Sequence, residues 1–268
     1  MYSRLKTIKA SAGAVISLAG LAAVIIGLSN YTITDKINAQ DPMFALFAVG
    51  LVSLLIGMLM LMSALLLKPV IRSSSDNIKL LAQAALFAAL SYIGFQFFRI
   101  DLPVGTEKTA FHLGNTFVVL AALLLGGSWG GMAGAVGMTL ADLTSGYATS
   151  APKTFLLKLC IGLIAGFFAH RVFKIEKTSS RKHIVTATLV SGCCAMGFNI
   201  VADPVVGYFY KRYLFGIPQD MASALAKMSA LTTLVNAVLS VICTTVIFLA
   251  LRPALIKSGL YGLHGRGE

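Results

Sequence analysis

HLGNTFVVLAALLLGGSWGGMAGAVGMTLADLTSGY, residues 112–147, decides the fold. Two apolar runs flank Gly126-Gly127-Ser128, and no charged residue stands between His112 and Asp142. Glycines at the junction suit a tight turn. The pattern therefore predicts a helical hairpin whose polar residues share one side: His112 and Asn115 where the first run starts, Asp142 where the second ends. The Gly130-Gly131-Met132-Ala133-Gly134 stretch beyond the turn predicts a smooth face for close internal packing. Continuous runs of Ala, Leu and Gly argue against alternating strands.

The same texture extends along the chain. Of 268 residues, 57% are hydrophobic and 12% charged, with a mean hydropathy of +0.84. A soluble domain has about 45–50% and about 25% respectively. The sequence predicts an all-α integral membrane protein with apolar stretches at 8–30, 43–67, 79–98, 112–127, 129–147, 153–172, 183–208 and 221–251. A helix needs roughly 20 residues to cross the hydrocarbon core. The formal net charge of +12 follows from topology and not from a nucleic-acid surface. Lysines and arginines crowd the links near residues 4–9, 68–79, 171–182 and 252–266, which places both termini in the cytoplasm. The first stretch resembles a signal peptide, but its apolar run continues through Val24-Ile25-Ile26 and predicts an uncleaved anchor. Cys160, Cys193, Cys194 and Cys243 lie within apolar stretches without metal-ligand spacing and read as small core residues.

The chain divides near Ser73-Ser74-Ser75-Asp76-Asn77. Residues 1–72 predict an accessory two-helix hairpin without intramembrane charge, and residues 73–268 a six-helix substrate-binding body. Ala84/Ala88 and Ala85/Ala89 form two overlapping Ala-xxx-Ala pairs, either a docking seam or internal packing.

Polar groups in lipid are expensive and mark function or pairing. His112, Asn115, Asp142, Lys153, Lys158, Asn199, Asp203 and Lys227 all fall in the half predicted to face outside, which points to a pocket open on that side. Asp142 reads as a ligand acceptor with Lys153 or Lys158 supplying positive charge, or as half of an Asp142–lysine pair holding helices together. Lys153 has the further option of snorkelling to the interface. Asn199 and Asp203 are one helical turn apart, and Pro204 is expected to break the helix after them. Asn236 reads either as a contact or as glue between helices.

Enzyme chemistry finds little support. Gly126-Gly127-Ser128-Trp129-Gly130 matches Gly-x-Ser-x-Gly but joins two apolar helices, not a strand and a helix. The sequence has no Gly-Lys dipeptide for a phosphate-binding loop and no His-Glu-x-x-His metal site. No catalytic residue, metal or cofactor is expected.

Over residues 76–252 the order of motifs resembles the substrate-binding S components of energy-coupling factor (ECF) vitamin transporters. The likeness is carried by the alanine pairs, Phe111-His112-Leu113-Gly114-Asn115, Ala121 to Gly126, Gly130 to Gly134, Ala141-Asp142-Leu143-Thr144-Ser145-Gly146-Tyr147 and Ala151-Pro152-Lys153-Thr154-Phe155. It is greatest for the subgroup labelled riboflavin-type or uncharacterised. The resemblance implies that the alanine face docks on a transmembrane coupling subunit driven by two ATPases, and that the link at 100–110 covers the bound vitamin. Residues 1–72 add two helices to the six typical of such a component. The reading is a capture subunit for a B-vitamin or related micronutrient in a bacterial plasma membrane. The alternative is a stand-alone proton-coupled carrier built on an Asp142–lysine pair.

Overall fold

The computed structural model describes residues 74–105 and 107–262, with scattered helical positions between 8 and 53. The expected 1–72 hairpin falls almost wholly outside the described residues. Two compact units emerge: Met1–Pro69 with Tyr208–Ser223, and Val70–Gly207 with Ala224–Glu268. In the first, Tyr210–Leu214 forms a π-helical turn on which Phe209 and Tyr213 stack at 5.8 Å.

The second unit opens with α1, Ser74–Gln96, whose first turn carries Asp76, where a carboxylate offsets the helix dipole. An antiparallel hairpin follows, β1 (Ile100–Val104) paired with β2 (Glu107–Phe111) from Ile100↔Phe111 to Val104↔Glu107. Gly105, at φ 62°, supplies the positive dihedral a two-residue hairpin turn demands. The segment expected as a covering link is thus ordered sheet.

Helix α2, Gly114–Leu125, is apolar on every face, and each residue from Val118 to Leu125 is at most 2% exposed. A helix hydrophobic all round belongs in a core. Twelve residues extend only about 18 Å, less than the roughly 30 Å hydrocarbon core. The predicted crossing at 112–127 is therefore a short central helix wrapped by its neighbours. Gly126, at φ 81° and ψ 161°, is the single residue between α2 and α3 (Gly127–Thr144), a conformation open only to glycine.

The glycines of α3 work as the sequence implies. A Cβ on Gly137 would stand 2.1 Å from the Ala88 carbonyl oxygen, and one on Gly130 would stand 2.3 Å from the Ala122 nitrogen. Helix α4, Ala151–Gly166, carries Pro152 in its first turn, where a missing N–H costs nothing. It meets α3 backbone to backbone: a Cβ on Gly162 would lie 2.2 Å from the Gly131 Cα, and one on Gly166 2.3 Å from that of Gly127. A π-helical stretch, Phe167–Val172, extends α4.

Helix α5, Arg181–Phe209, runs through Pro204 without a break, contrary to the expected disruption; the proline only withholds a hydrogen bond from the Ile200 carbonyl. Helix α6 spans Gln219–Lys257. At the end remote from the hairpin, the Arg252 guanidinium donates to the Thr178 carbonyl at 2.9 Å and the Ile175 carbonyl at 3.2 Å, closing the α4–α5 link against α6.

Among the described residues, four helical segments are long and apolar enough to cross a membrane: Ser75–Gln96, Ala148–Val172, Arg181–Leu214 and Gln219–Lys257. Large aliphatic side chains such as Leu81, Val201, Ile242 and Val246 are exposed, as lipid-facing positions require. The cysteines are free, and Cys193 is exposed with the other three half-buried. The expectation that they are core residues is corrected: Cys193 faces outward and the other three lie at the margin of the core.

Candidate functional site

Most of the predicted polar residues gather at the end of the bundle nearest the hairpin. The starts of α2 and α4, the ends of α3 and α5, and the N-terminal half of α6 contribute to it. Lys153 of α4 donates to Asp203 of α5 at 2.8 Å, in an ion pair whose side chains are only 10% and 17% exposed. The second Asp203 oxygen accepts from Ser229 Oγ at 2.6 Å and Thr233 Oγ1 at 3.2 Å. Ser229 and Thr233 are four apart on one face of α6. Three helices are thus pinned by one fully bonded carboxylate. Lys153 does not snorkel.

Asp142, 4% exposed, accepts from Thr154 Oγ1 at 2.5 Å. Among the described residues it has no ion-pair partner within 4.0 Å, so the expected Asp142–lysine contact does not form. Lys158, 6% exposed, lies one turn beyond Thr154 on α4. It is within electrostatic reach of Asp142, Lys153 and Asp203 yet touches no carboxylate. Asn115 and Asn199 are both 1% exposed, and the side-chain oxygen of each lacks a hydrogen-bond partner.

The remaining predicted residues divide. His112 accepts from the Gly114 N–H through Nδ1 at 3.2 Å and packs its ring 4.8 Å from that of Phe95. It organises the start of α2, leaving Nε2 for other partners. Asn236 is glue: its Oδ1 accepts from the His112 N–H at 2.9 Å, and its Nδ2 donates to the Ala110 carbonyl at 3.1 Å. Lys227 is exposed on α6 and joins none of these contacts. Its inclusion in the site is corrected, since its helical phase turns it away from Ser229 and Thr233.

The hairpin is fastened across this end. Asp101 on β1 pairs with Arg99 at 2.8 Å and Lys108 at 3.0 Å, and accepts from the Tyr147 hydroxyl at 2.9 Å. Lys108 also donates to the Ser145 carbonyl at 3.0 Å and sits 4.5 Å above the Tyr147 ring. On the other edge Thr109 bonds Thr232 at 2.9 Å, beside the Asn236 clamp. Burial pushes the Asp101 carboxyl upward, but the hydrogen bonds from Lys108 and Tyr147 and the Arg99 and Lys108 charges outweigh it and hold the group below its ordinary value.

Sequence reasoning missed Asp101, Lys108, Thr154, Ser229 and Thr233. The i, i+4 hydroxyls at 229 and 233 are a visible signal, though one easily lost in an apolar helix. No group of three His, Cys, Asp or Glu side chains converges as a metal site among the described residues. What this end offers chemically is hydrogen bonding and charge.

The alanine seam splits. Ala84 is buried and Ala88 packs on the core, whereas Ala85 and Ala89 are exposed alongside Leu81 and Leu86. Any docking surface on α1 therefore uses Ala85 and Ala89. Assigning Ala84 and Ala88 to it is corrected, because their face is filled by the bundle itself.

An apolar helical bundle with buried polar groups gathered beneath a fastened hairpin is a multi-pass membrane protein. The family model described as "ECF-type riboflavin transporter, S component" matches residues 75–253; the chain belongs to this family, and as a transporter S component it is not an enzyme. A Pyrococcus woesei protein described as "Uncharacterized protein in gap 3'region" is 29% identical over 109 residues, covering 40% of this chain and 69% of that relative. The crystal structure of an S-component for biotin from an ECF-type ABC transporter aligns with a TM-score of 0.48 at 16% identity, covering 66% of this chain and 94% of that one.

Proposed function

We propose that this S component captures one small vitamin-like molecule at the polar end of the bundle, beneath the hairpin. It passes that molecule to a transmembrane coupling subunit powered by two ATPases. The carrying observation is that Asn115 and Asn199 are buried with side-chain oxygens that lack partners, beside a network in which Asp203 is fully bonded. A buried acceptor left empty costs about 1–3 kcal/mol, which a ligand donor recovers.

Orientation follows from α4, which carries Lys153 near its start; Arg171 lies in the π-helical stretch beyond its end. The basic link that follows belongs on the cytoplasmic side, so the polar end and its hairpin face outward. The exposed Ala85/Ala89 face of α1 is the surface for the coupling subunit, since small residues let a partner helix approach closely.

Two measurements test this. The tagged full chain, purified from its own membranes, is expected to bring down a coupling subunit and two ATPases, and to release a small molecule on denaturation. Recovery of the chain alone, together with solute uptake in ATP-free vesicles under a proton gradient, would establish a stand-alone carrier instead.

A further inference from the structure

We infer that the captured molecule is an acid: it carries an oxyanion, a carboxylate or phosphate, that seats on Lys158, and N–H or O–H donors that reach Asn115, Asn199 and Asp142. This rests on the reading of the polar end as a capture site.

Charge at this end is distributed in a telling way. Lys153 and Asp203 satisfy each other at 2.8 Å. Lys158 and Asp142 are each at least nine-tenths buried, and among the described residues neither lies within 4.0 Å of an opposite charge. Lys158 is flanked on α4 by Leu157 and Ile161, 3% and 0% exposed, so its ammonium has no route to solvent along that face. Asp142 has a single side-chain donor, Thr154. An ammonium stranded among apolar groups costs far more than one that is paired.

The amides sort the rest of the ligand. Asn115 lies in the first turn of α2, three residues after His112, and Asn199 lies one helical turn from Asp203. His112 and Asp203 are both within electrostatic reach of Lys158. The empty oxygens of Asn115 and Asn199 only accept, so they require donors, and so does the Asp142 carboxylate. A solute without an oxyanion would leave Lys158 uncompensated, and an apolar one would leave every group unsatisfied. A hydrogen-bond-rich acid satisfies all of them.

The test is calorimetry on the full chain in lipid nanodiscs with matched acid and neutral probes. These are pantothenate with panthenol, nicotinate with nicotinamide, riboflavin 5′-phosphate with riboflavin, and pyridoxal 5′-phosphate with pyridoxal. The tightest probe is expected to be an acid, with its neutral counterpart at least about tenfold weaker, roughly 1.4 kcal/mol. The carboxylate and phosphate pairs then distinguish the two oxyanions. Lys158→Met should erase that preference and raise the melting temperature of the ligand-free protein, because it removes an uncompensated charge; a purely structural lysine would give a lower melting temperature. Lys158→Arg should keep the preference. A neutral probe binding as tightly as its acid overturns the inference, as does Lys158→Met holding the acid like the parent. Should Lys158→Met not fold, the acid-to-neutral ratio of the parent decides alone. If no probe binds and the fresh protein releases no small molecule, the capture reading itself fails, and this inference with it; a released neutral molecule overturns only the inference.

Discussion

Two sets of buried polar residues share one end of this bundle and differ in a single respect. Asp203 binds Lys153, Ser229 and Thr233; Lys158 touches no carboxylate, and the side-chain oxygens of Asn115 and Asn199 have no partner. By sequence the two sets are alike: ionisable or amide side chains in apolar helices. Burial of polarity alone therefore does not identify a binding site in a membrane protein. An unmet bond does. The first set holds helices together, and the second keeps unspent hydrogen-bonding capacity.

The contrast breaks most visibly at Asp203. Asp203→Ala strands Lys153 and is expected to cost about 3–5 kcal/mol of stability, read by thermal denaturation in nanodiscs. The Lys153→Ala/Asp203→Ala double variant should lose less than the sum of the singles, because no charge is left stranded. Full additivity would show that the pair is not a unit.

The same question applies to the alanines of α1. Ala84→Leu overpacks the bundle and should cost about 1–3 kcal/mol. Ala85→Leu with Ala89→Leu should leave the melting temperature nearly unchanged while abolishing assembly with partners, measured by co-purification. Equal destabilisation by both sets would mean that the exposed face is not free.

Asn199→Ala removes no protein bond, so stability should hold while affinity for the identified ligand falls about tenfold. Asp142→Ala should weaken binding alike but also lower the melting temperature, because it strands the buried Thr154 hydroxyl, and Ser128→Ala, on the α2–α3 turn side, should bind like the parent. Calorimetry paired with melting curves separates these outcomes from unfolding.

The smallest effect belongs to the hairpin. Asp101→Asn weakens a latch whose residues are partly exposed, and should speed ligand release only a few-fold, since exposed pairs contribute about 0–1 kcal/mol. The folded carboxyl of Asp101 lies below its ordinary value of 3.8. The stabilisation is therefore complete above that value and is lost as pH falls through the folded value. Release rates should stay flat from about pH 8 to about pH 5; a marked change within that range would assign the latch to another group.

Much of this architecture is legible in residue order. The turn at Gly126, the packing face at Gly130–Gly134 and the gathering of His112, Asn115, Asp142 and Asp203 on one side all follow from where polar and small residues fall. The choice of partner does not. Lys153 and Lys158 are both plausible mates for Asp142 by spacing, and only the relative rotation of α4 and α5 hands Lys153 to Asp203. Lys227 illustrates the same limit, because two residues of helical phase separate it from Ser229 on the working face. The β-hairpin left a weak trace in the alternation of Ile100, Leu102 and Val104 before Gly105, overshadowed by the far longer apolar runs around it.

The glycine contacts between α3 and α4 have a mechanical consequence. With Gly131 against Gly162 and Gly127 against Gly166, the backbones meet directly at these two points, where no side chain can act as a bearing, and the pair is joined like a plank. Asp142 rides on one edge of that plank, and Thr154 and Lys158 on the other. The separation of the backbone positions that carry the carboxylate and the ammonium is thus a caliper set by the packing of the two helices.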